Sequence, residues 1–285
     1  GFIMSQRRLL QAMAEAGNSL NGRNINMKKL IATHNKTFHA DEVTAIALLH
    51  IFTNYEIEIE RIDHDSKDFT KYDFVIDIGK KFDGIKYFDH HQFKGGKSSA
   101  GLIWEYLGLK KQYPKISKII DLIDRNDVGI EKAKEFEFSS LIKCYNTRNL
   151  NSQEQEDQFF EALKFAKTVL ISMKLMADEI IKAKQIVNES FVFDRNPKIL
   201  ELSKFTPYWT TYINGVTMPY IKAVVWEDEE ENNWKVKVPS KTVGSFELNG
   251  KALKNDTTME FVHSSGHFAI AKDEMTMIKY LSKNI

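Results

Sequence analysis

Residues 27–52 read MKKLIATHNKTFHADEVTAIALLHIF. Leu30 to Thr33 form a short apolar run that closes on a polar tip at His34, the pattern of a buried strand. From Asp41 onward apolar residues recur almost all round a helical wheel behind an acidic first turn. That predicts an internal helix beginning near Asp41. A strand, a polar turn and a buried helix make the repeating unit of an α/β domain.

The segments downstream continue the theme. EIEIERI (56–62) alternates with period two and reads as a more exposed strand, while YDFVIDIG (72–79) and GIKYFDHH (84–91) read as further strands. SSAGLIWEYLG (98–108) has a serine cap, an apolar run and a closing glycine, so it predicts a short helix. PKISKIIDLIDRND (114–127) predicts another, with proline in its first turn. Strands alternating with helices imply a mainly parallel sheet flanked by helices.

The character changes after residue 150. Phe159, Leu163, Ala166, Leu170 and Met173, then Met176 and Ile180, keep helical spacing, so 151–190 reads as a helical connector whose Met and Phe stripe is core. YIKAVVWEDEEENNWKVKVPS (220–240) reads as two strands around an acidic turn, and KDEMTMIKYLSK (272–283) as a closing helix. The expected layout is an N-terminal α/β domain (27–150), the connector, and a smaller C-terminal α/β domain (191–285). Residues 1–26 read as a leader, tag or appended segment. They lack the apolar core of a signal peptide, although Arg7, Arg8 and Arg23 also fit an organelle-targeting segment.

Forty basic residues against 39 acidic ones leave a formal net charge of +1, so global charge argues neither for nor against a nucleic-acid partner. The single cysteine, Cys144, rules out an intramolecular disulfide framework and points to an intracellular, reducing compartment. No apolar run is long enough for a spanning helix, so no membrane partner is expected.

In open α/β sheets ligands bind beyond the carboxyl ends of the strands. His34 ends the first strand, and His39 and Asp41 follow it in the turn. Asp77 lies near the end of FVIDIG, and KYF delivers Asp89, His90 and His91. The helix KIIDLIDRND ends in Asp124 and Asp127. One such residue is ordinary: Asp41 alone is a helix cap, and Asp127 alone serves the turn NDVG. Carboxylates gathered from several element ends raise one another's pKa, and a cation relieves that cost. His and Asp donors without thiolates suit Mn²⁺ first, and also Mg²⁺, Fe²⁺, Zn²⁺ or Co²⁺. So many donors fit two divalent ions roughly 3.5–4 Å apart, an arrangement that cleaves phosphate esters.

These residues also resemble a family. IATHNKTFHADEVTAIALL, FDHHQF followed by KSSAGLIWEYLG, IDRNDVGI and FVHSSG resemble, in the same order, the blocks of the DHH phosphoesterases. The closer likeness is to their branch of melanocyte-proliferating-gene-type exonucleases. The resemblance spans about residues 28–281 and implies roles one by one. His34, His39, Asp41, Asp77, His90 and Asp124 would hold the metals, with Asp77 bridging and Asp127 as the alternative to Asp124, because DRND aligns either way. The wider superfamily usually has Asp where His39 stands, which leaves the choice of metal open. His91 would face the scissile phosphate, with Asp89 bracing an imidazole.

The stretch from His263 to Ala271 resembles the family's glycine-rich substrate loop. His263, Ser265, Gly266 and His267 are its candidate contacts, with Ser264 and Ser265 standing where glycines are usual. Lys94 and Lys97, on the loop before a helix N-terminus, are candidate phosphate contacts. Trp209, Trp226 and Trp234 read as core, with base stacking the alternative.

The activity implied is phosphodiester hydrolysis on RNA, DNA or short oligonucleotides, with 3′→5′ exonuclease polarity taken from the resemblance. Pyrophosphate, polyphosphate or a dinucleotide second messenger are alternative substrates, and a non-catalytic nucleotide-binding protein is a further reading. A homodimer is compatible with the sequence.

Overall fold

In the computed structural model, which describes residues 27–285, the opening stretch folds as strand β1 (Met27–His34) and helix α1 (Ala40–Phe52). The reading of residues 1–26 lies outside the described residues. β1 pairs on one side with β2 (Tyr55–Ile62) and on the other with β3 (Phe74–Ile76), which pairs with β4 (Tyr87–Phe88). The order is β2-β1-β3-β4 and every pairing is parallel. Parallel strands end at the same edge of a sheet, so His34, Asp77 and the Asp89–His91 run emerge together. β2 is one of the two edge strands, which explains its alternation of Glu and Ile.

α1 is buried from Ala40 to Leu49, so its acidic first turn is buried as well. Three further helices follow: α2 (Ser99–Leu107), α3 (Pro114–Asp127) and α4 (Phe138–Lys143). Ser98 caps α2, and Gly108 ends it in the left-handed conformation at φ +69°. α5 (Gln153–Asn188) follows, and the chain divides into two compact units between Lys174 and Leu175, inside that helix.

The second unit is built on a mixed sheet ordered β5-β6-β7-β8-β10-β9. Its strands are β5 (Phe191–Val192), β6 (Ile199–Glu201), β7 (Ala223–Asp228), β8 (Asn233–Lys237), β9 (Phe261–Val262) and β10 (Phe268–Ala271). β7 and β8 form the expected antiparallel hairpin around the acidic turn. The closing helix α6 (Glu274–Asn284) is capped by Asp273, whose side chain accepts from the Thr276 N–H at 2.7 Å. Trp209, Trp226 and Trp234 are buried in the cores of this unit, so their faces pack against protein rather than standing free to stack bases. No helix among the described residues is long and apolar enough to cross a membrane.

Candidate metal centre

The turn from β1 into α1 is held from outside. Phe38 donates its N–H to Asn146 Oδ1 at 3.0 Å and accepts from Asn146 Nδ2 at 2.9 Å. His39 precedes the helix, and its N–H donates to Glu42 Oε1 at 2.9 Å. Asp77 follows β3 with φ +57°, a left-handed backbone that non-glycine residues seldom adopt. Its N–H is committed to the Phe88 carbonyl at 3.1 Å, so the strained conformation is imposed by the sheet edge.

Asp77 is the hub. Its Oδ2 lies 3.1 Å from His34 Nε2, while its Oδ1 lies 3.5 Å from His90 Nε2 and 3.4 Å from His91 Nδ1. The two oxygens of one carboxylate therefore face two separate sets of donors. On the first side His34, His39 and Glu42 gather, with His34 Nε2 3.2 Å from Glu42 Oε1. On the second, His90 Nε2 stands 2.7 Å from Asp127 Oδ2 and 3.8 Å from Asp41 Oδ2. Within each of these sets the ligand atoms lie within 4.8 Å of one another, close enough to share one ion.

Asp89 does different work. Its Oδ2 accepts from the Lys80 N–H at 2.7 Å, and its Oδ1 accepts from both the N–H (3.1 Å) and Nδ1–H (2.7 Å) of His91. It thus fixes the tautomer and direction of His91, leaving Nε2 as the ring's other nitrogen. The imidazole is about half exposed and lines the cavity described below.

Electrostatics mark the cluster as unbalanced by protein alone. Asp41 is held well above the usual carboxylate range, first by burial and then by the charges of Asp77, Glu42 and Asp127. His34 is pushed up to about 11 and His90 to about 10. Burial by itself would lower both, but Glu42 and Asp77 outweigh it at His34, and Asp127 and Asp77 outweigh it at His90. Both oxygens of Asp41 and Oε2 of Glu42 are buried without a hydrogen-bond partner. Buried polar atoms almost always have one, and divalent cations of the Mn²⁺ or Mg²⁺ type take carboxylate oxygens and imidazole nitrogens of this kind. The residues fit metal ions.

Among the residues expected from sequence, His34, His39, Asp41, Asp77, His90 and His91 come together around this point, with Asp89 behind. Asp124 does not join them. Its Oδ1 accepts from the Ser98 N–H at 2.9 Å and the Ser98 hydroxyl at 2.7 Å, and its carboxylate lies against Gly101, where a Cβ would meet it at 2.3 Å. Burial pushes Asp124 up to about 6, and it serves to anchor the start of α2. Asp127, one turn on, supplies the carboxylate beside His90. Glu42 was readable only as a first-turn acid; it belongs to the cluster because α1 is buried on every side.

A cavity of about 1010 Å³ opens over the cluster, with His34, His39, Asp41, Asp77, His90, His91 and Asp127 in its wall. Lys94 and Lys97 do not line it, and Lys97 pairs instead with Glu105 at 2.5 Å. The lysines in the wall are Lys36, Lys132 and Lys143.

In the second unit His263, Ser265, Gly266 and His267 form the turn between β9 and β10. Ser265 stands between the two histidines: its N–H donates to His263 Nδ1 at 3.1 Å and its Oγ touches Nδ1 of both rings. Gly266 has φ +67°, and a Cβ there would meet Ala252 Cβ at 2.7 Å, so only glycine suits the turn.

Compared with known proteins, residues 30–284 match the family MYG1_exonuc, described as "Uncharacterised protein family (UPF0160)". A MYG1 protein of Saccharomyces cerevisiae is 26% identical over 234 residues, covering 65% of this chain and 69% of that protein. A MYG1 protein of Chlamydia muridarum is 33% identical over 183 residues, 58% of this chain and 63% of that protein. The MYG1 exonuclease of Homo sapiens is 26% identical over 302 residues, 83% of this chain and 80% of that protein. No solved structure matches.

Proposed function

This chain belongs to the MYG1_exonuc (UPF0160) family, and from that membership and the centre described above we propose that it is a metal-dependent phosphodiesterase that removes nucleotides from the end of a nucleic-acid chain. The observation that carries the proposal is the divided carboxylate of Asp77, one oxygen toward His34 and the other toward His90. A carboxylate shared in this way is what a pair of ions needs between them. His34, His39 and Glu42 would hold one ion, and Asp41, His90 and Asp127 the other, with Mn²⁺ the best fit to the donors. When bound, the ions supply an acidified water and neutralise charge developing at phosphorus.

The remaining work falls to the protein. Asp89 holds His91 by Nδ1 and, with burial opposing and Asp77 adding, raises its pKa. His91, held by that hydrogen bond at the cavity wall, is the group placed to put a proton on the oxygen that leaves phosphorus. Asp89 is a positioning residue for that imidazole. We include the likeness to the DHH phosphoesterases in this reading, and assign the turn of His263, Ser265, Gly266 and His267 to substrate binding through its small residues and imidazole donors. The cavity of about 1010 Å³ favours a nucleotide chain over pyrophosphate, since it lies at the top of the roughly 300–1,000 Å³ range that holds drug-sized ligands.

The test is hydrolysis of 5′-labelled single-stranded RNA and DNA with Mn²⁺, with the 3′ end free or blocked. Stepwise shortening of the free-ended strand, lost with chelator and with the 3′ block, is expected for a 3′→5′ exonuclease. Cleavage that ignores the block would refute that polarity, and no Mn²⁺-dependent cleavage at all would refute the function.

A further inference from the structure

Lys36 sits in the turn between β1 and α1 with φ +62°, the left-handed region that glycine tolerates and lysine seldom occupies. The conformation is imposed. The Lys36 carbonyl accepts from Arg61 Nη2 at 2.7 Å and from Gln155 Nε2 at 2.8 Å. Neither donor is free to yield. The Arg61 guanidinium lies over the rings of Phe38 and Phe159 (5.4 and 4.5 Å) and pairs with Glu156 at 2.8 Å. Gln155 is fully buried and also accepts from the Thr147 N–H at 2.8 Å. A glycine would satisfy the same clamp without strain, so the backbone gives no reason for a lysine here. Lys36 lines the cavity over the candidate metal centre, where an ammonium group can serve a bound anion.

Two more lysines, Lys132 and Lys143, line the same cavity. Among the described residues no carboxylate lies within ion-pair distance of any of the three. The cavity wall is thus divided in charge. The acidic cluster suits cations, and the same wall also carries the three lysines, while the hydroxyls of Ser139 and Ser140 in it are already committed to Asn126 Oδ1 and the Lys134 carbonyl. At about 1010 Å³ the space exceeds what a single phosphate ester fills.

We propose that Lys36, together with Lys132 and Lys143, holds phosphates of the substrate chain other than the one being cleaved, so that the centre selects strands carrying several phosphates over single diesters. This rests on the phosphodiesterase reading above. It assigns the selection to residues outside the metal cluster, and it separates a chain-processing enzyme from one that acts on isolated phosphate diesters.

The experiment compares a five-nucleotide single strand with bis(p-nitrophenyl) phosphate, a diester with one phosphorus, in Mn²⁺ across a range of salt. Lys36→Gly removes the ammonium and suits the left-handed backbone, and Lys36→Arg keeps the charge. For Lys36→Gly the ratio of kcat/KM on the strand to kcat/KM on the small diester should fall about tenfold, mostly through KM. The salt slope of log KM should shrink by about 0.7 for each phosphate no longer neutralised. Lys36→Arg should restore both, and Lys132→Met and Lys143→Met should each repeat the effect. Bound Mn²⁺ and circular dichroism report whether the variants remain folded. An unchanged ratio and salt slope in folded Lys36→Gly would overturn the inference while leaving the function standing. Absence of activity on both substrates in the parent protein would remove the function, and the inference with it.

Discussion

Two pairs of histidines in this protein have almost the same ring separation and different surroundings. The rings of His90 and His91 lie 4.4 Å apart, and those of His263 and His267 lie 4.3 Å apart. The first pair faces Asp77, Asp89 and Asp127, and both of its members are raised in pKa, His90 to about 10. The second pair brackets Ser265, and His267 is lowered by burial, by His263 and by Lys237. The separation of two imidazoles therefore does not by itself make a candidate metal centre; the carboxylates round them do. Acids around a ring favour its protonated form and offer further donors to a cation, whereas burial beside cationic groups lowers the pKa of His267.

The sharpest way to break this contrast is to remove the shared carboxylate. Asp77→Asn should cost more than about 100-fold in Mn²⁺-dependent hydrolysis, beyond the loss expected for a residue that only supports a ligand. Isothermal titration should show weaker Mn²⁺ binding in Asp77→Asn and His90→Ala. His267→Ala should bind as many Mn²⁺ ions as the parent, and fewer would mean that the second pair is a metal site too.

Proton release provides the next test. In the metal-free protein His34 (about 11) and His90 (about 10) carry protons at neutral pH, and a metal must displace them. Apparent Mn²⁺ affinity should therefore rise between pH 6 and 9, by about tenfold per unit for each proton displaced. A flat profile, measured in buffers of different ionisation enthalpy, would mean that the carboxylates do not hold those protons.

Gly266→Ala addresses the second pair. With φ +67° and a contact of 2.7 Å to Ala252 waiting for the new Cβ, the substitution should destabilise the turn by about 1–3 kcal/mol, read as a lower Tm. The smallest effect is expected at Asp124. Its pKa, raised to about 6 by burial, means that the fold binds a proton more tightly than the unfolded chain. The associated stability is present at low pH and is lost as pH rises toward about 6. Asn keeps the oxygen that accepts from Ser98 and carries no charge, so Asp124→Asn should match or exceed the parent's stability above pH 6, by about 1 kcal/mol. Asp127→Asn, by contrast, should weaken Mn²⁺ binding. If the two variants exchanged these effects, the assignment between them would be reversed.

Much of the centre was legible in the sequence. A buried strand ending at His34, another ending at Asp77 and a third leading into Asp89, His90 and His91 must, in a parallel sheet, deliver their tips to one edge. The residue types at those tips are imidazoles and carboxylates, donors of the kind divalent cations take. The tertiary structure decided what pattern alone leaves equal. Asp124 and Asp127 are one helical turn apart, and sequence favoured Asp124 with Asp127 as the alternative; in the fold Ser98 and Gly101 occupy the first and His90 stands beside the second. Glu42 resembles any first-turn acid until packing encloses α1 on every side. Lysines carry the same charge wherever they stand, so sequence pointed to Lys94 and Lys97 beside the histidine motif. Packing instead put Lys36, Lys132 and Lys143 in the cavity wall, because the place of a turn or short helix is set by tertiary contacts, such as those of Arg61 and Gln155 on the Lys36 carbonyl. Local pattern determines which elements form and what their ends can bind; only the contacts between elements choose among neighbours that are locally alike.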